Sequence, residues 1–151
     1  MQLYHMKGGV IIALSLAMAL TVSVVAQAAT ALRQDVSESL MSVRNGKSSN
    51  ERTDAAEHIY DVTRGDASRE VDDQLLTEII GLLNNSEDSV RYWVARSLGN
   101  FGPRAKPAVP EMLKILKEED CIKGSKTSAS GIRFALPEIG VKVPASKCEL
   151  R

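Results

Sequence analysis

A pattern that returns after 39 residues restricts this chain more than any single motif does. Ala55, Ala56, Ile59 and Val62 recur as Val94, Ala95, Leu98 and Phe101, and a third copy follows at an offset of 38, as Ile132, Leu136, Ile139 and Gly140 beneath Val94, Leu98, Phe101 and Gly102. Within each copy the apolar positions fall three or four residues apart, the spacing of one face of an α-helix. Self-similarity near 40 residues, with two helices per unit, marks a stacked helical array, in which each unit buries its apolar face only against its neighbours.

The helices can be placed by their stripes and their breakers. Leu32, Val36, Leu40 and Val43 predict a helix over 31–44, ended by Asn45-Gly46. The second spans 51–64, and the third spans 71–84 with Val71, Leu75, Ile79, Leu82 and Leu83 inward. The fourth spans 89–101 with Val90, Val94, Leu98 and Phe101 on one side. The fifth covers 107–119 with Val109, Met112, Leu113 and Leu116. A sixth over 129–139 contains Pro137, which is expected to kink or end it. Gly102 supplies the left-handed turn after the fourth helix and Pro103 prevents its continuation. Nothing alternates long enough for a strand, and only 4% of residues are aromatic, so the chain reads as all-α. The expected architecture is a short α-solenoid of about three helix pairs, over 31–65, 71–103 and 107–140, with a C-terminal tail at 141–151.

The stretch 85–110 has a more specific character. Asn85-Ser86-Glu87-Asp88-Ser89-Val90-Arg91, then Ala95, Leu98-Gly99, Phe101-Gly102-Pro103 and Ala108-Val109-Pro110, resembles a HEAT repeat of the phycobilisome-lyase-like subtype. The resemblance is close over 71–118, fair over 31–70 and weak over 127–140, where the acidic turn and the Val-Arg pair are missing and Pro137 replaces Gly99. It implies a structural role for Arg91, bonding turn groups between neighbouring units, and structural roles for Val90, Leu98, Phe101, Gly102 and Pro103. Arg91 lies in the first turn of its helix, where a cation is disfavoured, so it requires a carboxylate; Glu87 and Asp88 are nearby in sequence.

The N-terminus reads as an address. One lysine, Lys7, precedes an apolar run at 10–26, and Ala26-Gln27-Ala28 forms a small-x-small site. This is the three-part pattern of a secretory signal peptide, 1–28, cleaved after Ala28; the competing reading is a retained membrane anchor. Cleavage leaves 29–151 as the repeat domain, with 18 basic and 19 acidic residues. A near-neutral chain lacks the footprint of a nucleic-acid or anionic-membrane binder. Export places Cys121 and Cys148 where disulfides persist, and two cysteines permit one pairing; the alternative is two free thiols.

Function has to be sought where the chain departs from its own pattern. Asp54, His58 and Asp61 share one side of the second helix, and the matching positions of the fourth are Trp93, Ser97 and Asn100. The resemblance places second helices on a concave partner face, so these six are the candidate partner-binding residues of an exported protein–protein interaction module, acting in the periplasm or outside the cell as an inhibitor, immunity or assembly factor. Trp93 also suits packing between units. The alternative is a metal-binding or enzymatic site centred on His58, because residues at i and i+4 meet on a helix. No nucleophile elbow, phosphate loop or HExxH motif is present, so no catalytic residue, metal ligand or cofactor is assigned. A protein partner is expected.

Overall fold

The structure is a computed structural model. It describes residues 8–121, 124–146 and 148, with side chains from Ala26 onward. The expected apolar run of the signal sequence therefore lies outside the described side chains. Among those described, no helix is long and apolar enough to cross a membrane.

The described residues form six α-helices, with no strand. The helices are α1 (Gly8–Asn45), α2 (Ser49–Val62), α3 (Asp73–Gly81), α4 (Asp88–Asn100), α5 (Val109–Glu119) and α6 (Ser128–Ile139). The chain divides into two compact units, Met1–Ala31 and Leu32–Arg151. Of the first, the described part is a stretch of α1 that runs unbroken through Ala26-Gln27-Ala28.

In the second unit α4 is the central element. It packs against α2 on one side and α6 on the other, and α5 packs on α6. Most of the buried stripe follows the periodicity: Val36, Leu40 and Val43; Ala56 and Ile59; Val90, Val94, Leu98 and Phe101; Met112 and Leu116; Ile132, Leu136 and Ile139. Leu32, Ala55, Val62, Leu75, Val109 and Leu113 are only half-buried, and Leu76 and Ile115 are buried outside the expected stripes. Each stripe is a helical face pressed on its neighbours, and each buried Leu or Ile contributes about 1.5–3 kcal/mol.

Helix ends follow local chemistry. Ser48 caps α2 by accepting from the Glu51 N–H at 3.1 Å, and Asp72 caps α3 by accepting from Leu75 at 2.9 Å. Thr127 and Ser130 form a reciprocal capping box at the start of α6. Three expectations need adjustment. The third helix begins at Asp73, and Val71 is buried ahead of it. The fifth begins at Val109, because Gly102–Ala108 forms a 3₁₀ helix whose Ala105 and Ala108 reach the core. Pro137 does not break α6. It falls in the last turn, where only its own N–H bond is lost, and the helix closes at Gly140 with φ 87°. Gly102, its counterpart, has φ 55°.

Arginines bolt successive turns together. Arg52 donates to the Gly46 carbonyl and to Glu87 in the turn before α4. Arg91, 39 residues on, donates to the Asn85 carbonyl at 2.7 Å and to Glu119 at 2.8 and 2.9 Å. The sequence pointed to Glu87 and Asp88 as the partners of Arg91. Asp88 makes only a 3.4 Å contact, while Glu87 is engaged by Arg52 and Ser49. Those two bonds, Arg52 first, hold the Glu87 carboxyl below the ordinary carboxylate range. At the C-terminal end, the Cys121 and Cys148 sulfurs lie at disulfide distance, with Cα atoms 5.6 Å apart. Asp120 accepts from Arg133 and from Ser146 at 2.9 Å, which fastens the tail beside them.

Candidate functional site

The six residues singled out by the repeat do not form one surface. Trp93 is 8% exposed and Ser97 is fully buried. Trp93 packs on Tyr60 of α2 with ring centroids 5.4 Å apart and on Tyr92 at 4.8 Å. Ser97 turns its hydroxyl back to the Trp93 carbonyl. Asn100 donates to the Tyr60 carbonyl at 2.9 Å and to the Thr63 hydroxyl at 3.1 Å. This side of α4 is therefore largely the seam against the preceding helix: Trp93 and Ser97 are taken up in it, while Asn100, half-buried, reaches its edge.

The matching side of α6 serves the same purpose. A Cβ on Gly131 would stand 2.6 Å from the Tyr92 carbonyl oxygen, and Ala135 lies against Gly99. On α4 and α6 most of the aligned stripe is thus a joint. On α2 the same positions are Asp54, His58 and Asp61, all exposed. His58 Nε2 lies 3.0 Å from Asp35 on α1. Among the described residues no three His, Cys, Asp or Glu side chains are grouped to hold a metal.

A different set of side chains converges on the open face of α2, α4 and α6. Tyr60, Arg64, Arg96, Asn100, Phe134 and Glu138 border a groove of about 410 Å³, floored by Gly99 and Ala135. Arg96 lies between two rings, with its guanidinium carbon 5.1 Å from the Tyr60 centroid and 4.7 Å from that of Phe134. It also donates to the Tyr60 hydroxyl at 3.0 Å. Arg64 approaches the same tyrosine ring at 5.8 Å. Phe134 is 59% exposed, although large apolar side chains elsewhere in this unit are mostly buried.

The pairing of its arginines separates this groove from the rest of the surface. Every other arginine among the described residues has a carboxylate oxygen within 3.7 Å. Arg64 and Arg96 have none; their contacts are aromatic rings and one hydroxyl. A groove with an exposed ring, two uncompensated guanidinium groups and a glycine floor can receive an extended segment with both apolar and anionic groups.

The sequence held a signal for this site. Phe134 is two residues from both Ile132 and Leu136, so helical geometry turns it away from the stripe that buries them. It also occupies the position of Arg96 at the repeat offset of 38. Comparison with family models, curated proteins and solved structures finds no match to this chain.

Proposed function

We propose that this chain is an exported protein-binding module built from HEAT-like helix pairs, and that it engages a protein partner through the face of α2, α4 and α6. The groove bordered by Tyr60, Arg64, Arg96 and Phe134 carries the reading. An exposed phenylalanine held by an arginine, beside a tyrosine, has the composition of an interface anchor. The contact surface thus shifts from the stripe at Asp54, His58, Asp61, Trp93 and Ser97 to the adjoining face, with Asn100 at its border. The disulfide-distance cysteine pair supports export, because such a pair persists outside the reducing cytosol.

Photocrosslinking in the producing cell tests this reading. A photoreactive residue at Phe134 should capture one partner protein in stoichiometric amount. The same group at Met41, exposed on α1, should not. Capture from Met41 alone, or equal capture from both positions, would overturn it. Mass analysis of the recovered protein should show a chain starting at Ala29 and lighter by two protons than the dithiol form.

A further inference from the structure

We infer that the groove takes an acidic segment of the partner protein, with a carboxylate received by Arg96 and Arg64 and a neighbouring apolar side chain laid on Phe134. This rests on reading the α2, α4 and α6 face as the partner site, and it names the chemistry that the site recognises.

Three observations carry it. First, Arg64 and Arg96 are the described arginines with no carboxylate at hand, and both lie against Tyr60. Guanidinium has five N–H donors in a planar fork suited to carboxylate, and Arg96 directs one of them to the Tyr60 hydroxyl. Second, the rings of Tyr60 and Phe134 fix the plane of Arg96, so ordering that side chain adds little cost when a ligand arrives. Third, Phe134 provides an apolar shelf beside those donors.

The groove also limits the ligand. At about 410 Å³ it holds two or three side chains rather than a folded surface. Glu138 on its border repels further negative charge. The formal net charge of the chain is zero, which gives no general attraction for a nucleic acid or an anionic bilayer. One carboxylate next to one apolar residue, on a peptide backbone, fits all of these limits.

The test uses three fluorescein-labelled peptides with the native protein: Gly-Gly-Glu-Phe-Gly-Gly as the amide, the same peptide with Gln for Glu, and the Gln peptide with a free C-terminus. The Glu amide should bind roughly tenfold more tightly than the Gln amide, and added salt should erode the difference. Arg96→Gln and Arg64→Gln should each reduce the preference, and Phe134→Ala should weaken the Glu and Gln amides alike. All three side chains lie outside the buried core, and an unchanged circular dichroism spectrum checks the fold. Arg44→Gln, which removes a surface pair with Glu78, is the control. Recovery of tight binding by the free-acid Gln peptide would assign the carboxylate to a chain end rather than to an internal acidic residue. Equal binding of all three peptides, a preference that survives in the double arginine variant, or no binding at about 1 mM would each overturn the inference. Crosslinking at Phe134 separates the two failures. Capture there without any preference for Glu leaves the contact face standing and removes only its acidic ligand.

Discussion

Adding one methyl group at Gly131 tests how α4 and α6 are held together. The residue lies in the first turn of α6, and its missing side chain faces Tyr92. An alanine Cβ there would stand 2.6 Å from the Tyr92 carbonyl oxygen, 3.0 Å from its Cδ2 and 3.1 Å from its Cα. Two of the three obstacles are helix backbone, which no rotamer change can relieve. Overpacking of this kind costs about 1–3 kcal/mol, here towards the upper end. Replacing a helical glycine by alanine returns about 1 kcal/mol through propensity. Gly131→Ala should therefore destabilise the protein by roughly 1–2 kcal/mol, a fall in Tm of about 4–8 °C. Two further glycines calibrate the result. At Gly99 the nearest obstacle is the Ala135 Cα at 3.3 Å, so Gly99→Ala should lie within about 0.5 kcal/mol of neutral. At Gly81 nothing lies within 4 Å, so Gly81→Ala should gain about 0.5–1 kcal/mol. Urea unfolding followed by circular dichroism, with the cysteines oxidised, measures all three. A Gly131→Ala protein as stable as the parent, alongside the expected gain at Gly81, would refute a backbone contact at this joint.

Arg91 and Glu119 should behave as one unit. Arg91→Gln should cost about 2 kcal/mol, since its side chain is 11% exposed and its loss would leave the Glu119 carboxylate with the Ser128 hydroxyl but no cation, and a cycle with Glu119→Gln should give a coupling near 1 kcal/mol. Reduction of the cysteine pair, 27 residues apart, should remove roughly 3.5 kcal/mol in the chain-entropy model, read as a lower urea midpoint in dithiothreitol. Glu87 has a folded pKa below its unfolded value, so its stabilising contribution is full above that unfolded value and is lost as pH falls through the folded one. Glu87→Gln should therefore lower stability at neutral pH and flatten the acid limb of a stability–pH profile; an unchanged limb would refute the assignment.

The helices and their buried faces were legible because a 3.6-residue period writes the core directly into the order of Val, Leu and Ile. Ala56 and Ile59 could be laid over Ala95 and Leu98 for the same reason. The direction faced by a non-core stripe was not legible. A helix in a stack meets a pair-mate, a helix before it and a helix after it, and periodicity does not say which side of the core stripe is joint and which is open. Trp93 thus suited both packing between units and partner contact, and the structure has it packed on Tyr60; Asn100 lies where the joint meets the groove, while Phe134 passed unnoticed. Arg91 shows a second limit: its partner Glu119 is 28 residues away, on a different element, while the near carboxylate of Glu87 belongs to Arg52. That Arg52 precedes Arg91 by the repeat length of 39 could have been read from the start.

The charged stripe on α2 has a consequence for growth. On α4 and α6 the first two corresponding positions, Trp93 and Ser97, Gly131 and Ala135, are buried against the helix before them; on α2 the stripe carries Asp54, His58 and Asp61 and stands open. An apolar stripe in that place would offer every copy of the protein a docking site for the trailing end of another. A contact of that kind does not close on itself and propagates into filaments. Two aspartates make such addition expensive, since each carboxylate would have to leave water without a provided partner. The charged edge of α2 is therefore poorly suited to such addition.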